Sequence, residues 1–73
     1  MANYNDVNAA WILEKIEEFE IKNPRQLAID SGVSYASLNR WLSGGREVSS
    51  EGKKVLWWYF KYLDVMRILE QTE

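Results

Sequence analysis

Residues 24–44, PRQLAIDSGVSYASLNRWLSG, leave the chain little choice of path. Asn23 stands directly before Pro24. Asparagine accepts a hydrogen bond from the first turn of a helix, and proline suits the first helical position, where no backbone donor is needed. That pair starts a short helix from Pro24 to about Asp30. Gly32 follows at an elbow that needs a positive backbone angle. Ser34 then caps a further helix from about Tyr35 to Leu42, and Gly44-Gly45 stops it. A tight elbow needs a small residue where the two helices touch and apolar residues on their inner faces. Ala28 stands four residues before Gly32, Leu27 and Val33 flank the turn, and Leu38 and Trp41 sit three apart with Leu42 alongside. The outer positions of the later helix are then Tyr35, Ala36, Asn39 and Arg40, with Ser43 at its end.

The flanks read as helices too. Asp6 or Asn8 caps a first helix in which Ala9, Ile12, Leu13, Ile16 and Phe19 recur at helical spacing, while Glu14, Glu17, Glu18 and Lys22 take the wet side. Trp11 lies near the edge of the apolar stripe. Glu18 and Lys22 stand four apart in the favourable order, worth about a few tenths of a kcal/mol. Met1–Asn5 is polar and is expected to fray. After Val48, Ser49 and Ser50, a last helical stretch runs from Glu51 to about Gln71, as one helix or as two with a bend near Leu63. Gly52 in its first turn costs about 1 kcal/mol relative to alanine. The expectation is a single, compact, all-α domain of four to five helices over residues 1–73.

Composition removes whole classes of chemistry. A chain of 73 residues buries only about 60% of the surface its unfolded form exposes. Its core supplies about 3–5 kcal/mol, so self-association would help it. There is no cysteine, hence neither a disulfide nor a zinc–thiolate site. There is no histidine, which removes the usual general base, metal ligand and pH switch. The serines have no histidine or lysine placed to activate them. The expectation is a protein that is not an enzyme and takes no metal or cofactor. No apolar run reaches the roughly 18 residues of a membrane span, and no basic-then-apolar leader opens the chain, so a soluble protein without membrane contact is expected. Net charge is −2, but it is unevenly spread: −4 over residues 1–20, +4 over 21–61 and −2 over 62–73. The basic section coincides with the paired helices.

The run QLAIDSGVSYASLNRWLSG resembles the lambda-repressor and Cro class of helix-turn-helix, the XRE family, through Leu27, Ala28, Gly32, Val33, Ser34, Leu38, Arg40, Trp41 and Gly44 in register. The resemblance extends over about residues 9–65, and the small size is similar to that of phage lysogeny-switch proteins. It implies a lambda-repressor-like domain with its helix-turn-helix at about residues 24–43, acting as a Cro-like transcriptional regulator in the cytoplasm of a bacterial host cell. By the same resemblance the helix at about 35–42 is the recognition helix, which reads double-stranded operator DNA in the major groove. Ser34, Tyr35, Ala36, Asn39 and Arg40 match positions that meet base edges or nearby phosphates. Arg40 suits guanine O6 and N7, and Asn39 suits adenine. Tyr35 suits a thymine methyl or a phosphate. Ser43 and Arg46 match a region that touches backbone phosphate. Arg25 and Gln26 are further candidates for phosphate contact. Lys53 and Lys54 open a helix, where the dipole disfavours cations; they are either phosphate contacts, which would offset that cost, or ordinary wet surface.

The run from Val55 to Leu63 holds too many large apolar groups for one buried face. Leu56, Phe60 and Leu63 form one stripe; Val55, Tyr59, Tyr62, Met66 and Leu69 form another. Trp57, Trp58, Tyr59, Tyr62 and Met66 are therefore candidates for a homodimer or partner surface, unless this helix is sunk between the others. A twofold dimer sets its recognition helices about 34 Å apart, one turn of DNA. A second function stays open. The acidic total charge, Pro24 where the family usually has glutamine, and the aromatic tail helix also suit a protein-binding module: an antirepressor that masks a repressor, or a phage inhibitor of a host defence protein.

Overall fold

The computed structural model describes residues 4–71, and among them every regular element is helical. A single 3-10 turn, Tyr4–Asp6, precedes four α-helices: α1 (Ala9–Glu18), α2 (Pro24–Ser31), α3 (Tyr35–Leu42) and α4 (Ser50–Gln71). Of the stretch 1–5 expected to fray, residues 1–3 lie outside the described residues. Tyr4 does not fray: its ring meets Trp57 edge-on at 5.5 Å, and its hydroxyl accepts a hydrogen bond from Trp58 Nε1 at 3.2 Å.

Local capping accounts for most boundaries. Asn8, rather than Asp6, caps α1, its Oδ1 accepting from the Trp11 amide at 2.9 Å. Asn23 caps α2 by accepting from the Gln26 amide at 2.8 Å. Gly32 ends α2 in the left-handed region at φ 86°, and its N–H donates to the Ala28 carbonyl at 3.0 Å. Ser34 Oγ accepts from the Ser37 amide at 3.4 Å to open α3. Gly44, at φ 84°, and Gly45 close α3 by donating to the carbonyls of Trp41 and Arg40 at 3.2 and 2.9 Å. Ser49 opens α4, its Oγ accepting from the Gly52 amide at 3.0 Å. α4 then runs unbroken through Leu63 for 22 residues, so the tail is one helix.

Two expectations about α1 need correction. The helix stops at Glu18, and Glu20 turns the chain at φ 53°, so Lys22 lies off the helix and the Glu18–Lys22 pair does not form. Glu18 instead receives Lys15 Nζ at 3.4 Å and Arg67 Nη2 at 3.1 Å. Leu13 is not part of the inner stripe but 49% exposed. The helix is rotated toward Trp11, whose ring meets Phe60 edge-on at 5.5 Å.

All four helices contribute to one core: Val7, Ile12, Leu27, Ala28, Leu38, Trp41, Val48, Leu56 and Phe60 are buried together. Gly52 is what lets α4 close on α3. A Cβ at Gly52 would lie 3.0 Å from Cζ2 and Cζ3 of the Trp41 indole, and nearer still to Cη2. At the other end, the Arg67 guanidinium lies 4.5 Å over the Phe19 ring while bonding Glu18 and, at 2.6 Å, Asp64. The Asp64 hydrogen bond is the main reason its pKa is raised further. No helix among the described residues is long and apolar enough to cross a membrane.

Candidate nucleic-acid interface

The elbow at Gly32 sets α3 with one face committed and the other free. Leu38 is fully buried and Trp41 nearly so, each locked against neighbouring helices. With 3.6 residues per turn, positions 35, 36, 39 and 40 must then point outward. Tyr35, Ala36, Asn39 and Arg40 are all exposed, as is Ser34 at the helix start. These five predicted residues therefore share one continuous surface. Ser43 is exposed at the far end, its Oγ donating to the Arg40 carbonyl at 3.1 Å.

The predicted phosphate contacts divide. Arg25 joins the α3 surface: its guanidinium lies 5.1 Å from the Tyr35 ring, stacking the start of α2 on the start of α3. Arg46 and Lys53 share an open groove of 530 Å³ beside α3, with Trp41 on its wall and Asn8 and Glu47 also lining it. Gln26 is occupied on its own helix, Nε2 donating to Asp30 Oδ1 at 2.9 Å. Lys54 turns toward the N-terminal turn, 5.9 Å from the Tyr4 ring.

The predicted partner residues divide as well. Trp57 is half-buried between Tyr4 and Trp58, its ring 5.5 and 4.8 Å from theirs. Tyr59 is half-buried edge-on to Phe60. Burial, then the Asp30 carboxylate, then Tyr62 push its phenol pKa above the ordinary value. Trp58, Tyr62 and Met66 are exposed. Sequence reasoning passed over Val65 and Ile68, which are also exposed. Alternating steps of three and four from Val55 would have found Val65.

Comparison with known proteins adds no relative: no family model, no curated protein and no solved structure matches the chain.

Proposed function

We propose that the protein is a sequence-specific DNA-binding regulator of the lambda-repressor and Cro kind, reading the major groove with the outer face of α3. One observation supports this most: Tyr35, Ala36, Asn39 and Arg40 lie exposed in one strip on a short helix whose opposite face is locked into the core. A major groove admits such a helix, and its base edges pair with these side-chain types. Arg40 is the guanine reader, Asn39 the adenine reader, and Tyr35 the contact at the helix start, steadied by Arg25. Ser43, Arg46 and Lys53, exposed or lining the groove beside α3, are the proposed contacts to flanking phosphates. The reading places the protein in a bacterial cytoplasm with a double-stranded operator as its partner.

The test is selection from a randomised duplex library at two salt concentrations, followed by titration of the Arg40→Ala variant. A defined site is expected, with affinity falling steeply with salt because phosphate contacts release counterions. Arg40→Ala is expected to cost about 1–3 kcal/mol and to relax selectivity at one base pair. Equal binding by parent and variant removes Arg40 as the reader. A second reading, a module that binds another regulator instead of DNA, draws on the net charge of −2 and the exposed Glu14, Glu17 and Glu18 of α1. No retained duplex even at low salt decides for it.

A further inference from the structure

Along α4, Val55, Trp58, Tyr62, Val65 and Leu69 follow one another at steps of three, four, three and four. Their exposures are 39, 56, 59, 46 and 57%. At about 100° per residue this line lies roughly a third of a turn round from Gly52, Leu56, Phe60 and Leu63, which face the core. A mean spacing of 3.5 residues keeps such a line on one side of a helix and matches it to another helix with the same spacing. Tyr59 and Met66 flank it toward the core, and Lys54, Lys61 and Ile68 flank it on the other side.

We propose that this seam pairs with the same seam of a second copy of the chain, with the two α4 helices antiparallel. Two properties of α4 choose that occupant and that direction. The first is charge. Within α4, residues 50–61 carry net +2 and residues 62–71 carry net −1. An antiparallel pair lays each half along its opposite; a parallel pair lays like on like. The second is volume. With the twofold axis crossing between Leu63 and Asp64, Trp58 meets Leu69 of the second copy and Tyr62 meets its Val65. Large rings then fall against aliphatic side chains. A parallel pair sets Trp58 on Trp58 and Tyr62 on Tyr62. A helix of 22 residues, about 33 Å long, offers enough length for four such layers. The pairing does not depend on whether the chain binds DNA.

Sedimentation equilibrium of the full chain from micromolar to several hundred micromolar tests it. The expected result is twice the chain mass at the upper end. Tyr62→Glu and Val65→Glu are expected to halve that mass while retaining the helical circular dichroism spectrum. Ile29→Glu, at a residue 68% exposed on α2, is expected to leave it unchanged. Direction is read by cross-linking, since the chain has no cysteine of its own. Leu69→Cys mixed with Trp58→Cys is expected to form a disulfide-linked pair, while Leu69→Cys alone is not. A single-chain mass at every concentration overturns the pairing, and so does a dimer that survives both seam substitutions. Self-linking of Leu69→Cys, or no link in the mixture, overturns the antiparallel sense.

Discussion

Gly52 shows how one residue's role is set by a partner distant in sequence. Taken alone, a glycine in the first turn of α4 is a cost of about 1 kcal/mol, and alanine there should stabilise. The Trp41 indole reverses the sign, because a Cβ would press into its ring. Gly52→Ala is therefore expected to lose about 1–3 kcal/mol in urea unfolding, as overpacked core sites do. The loss should largely vanish in a Trp41→Leu background, the coupling that a double-mutant cycle reads. Gly32 gives a contrasting case: open space surrounds its Cβ position, but φ is 86°. Gly32→Ala should cost about 1–2 kcal/mol from backbone strain, with no rescue at Trp41. Tyr59 carries a pH signature. Its pKa is raised by burial first, so the folded state holds the proton that the unfolded chain releases near pH 10. That contribution is fully present below pH 10 and is lost as pH climbs through the folded value. Absorbance titration at alkaline pH should show that Tyr59→Phe removes a late-titrating phenol, and the variant's stability should fall less over the same range. The roles of Trp41 as core and of Gly32 as elbow were legible because each follows from neighbours within one turn. Gly52 and Tyr59 were not, because Trp41 and Asp30 reach them from other helices.

The elements divide along the same line. The caps at Asn23, Ser34 and Gly44 were readable because the donors they serve lie within three or four residues. The end of α1 was not. Nothing in the run from Glu18 to Lys22 announces that Glu20 takes a positive φ, and the apolar spacing alone placed Leu13 inside. What turns α1 toward Trp11 is α4, which offers Phe60 to both Trp11 and Phe19. The C-terminal half of α4 is in turn fastened to the end of α1 by Arg67, through Glu18 and the Phe19 ring. Such an exposed ion pair is worth about 0.2–1 kcal/mol in global stability. Its effect should be local. Arg67→Ala is expected to speed amide hydrogen exchange in the last two turns of α4 while leaving α2 and α3 unchanged, and high salt should mimic part of the effect. Equal protection in parent and variant would mean that packing on Phe19, not Arg67, holds the tail.

At the scale of the whole molecule, the proposed function asks an acidic protein to approach an acidic polymer. Net charge is −2, yet residues 21–61 carry +4, and Arg25, Arg40 and Arg46 are exposed around α3. Orientation therefore decides whether the approach is favourable, and the face carrying α3 is the one that gains from it. A single copy has few phosphate contacts to offer, because Gln26 and Lys54 are engaged elsewhere. The proposed pairing through α4 would double them and join two proposed reading helices under one twofold axis, which a palindromic site would match. Association and recognition then become separable. Tyr62→Glu alters the seam and leaves α3 untouched, so it should lower affinity for a palindromic site far more than for a half-site. The slope of log affinity against log salt should fall to about half, since each bound particle releases about half as many counterions. Arg40→Ala should do the reverse, relaxing selectivity at one base pair while keeping the dimer mass. If Tyr62→Glu lowers half-site and palindrome binding equally, the two copies do not read together, and α4 serves association alone.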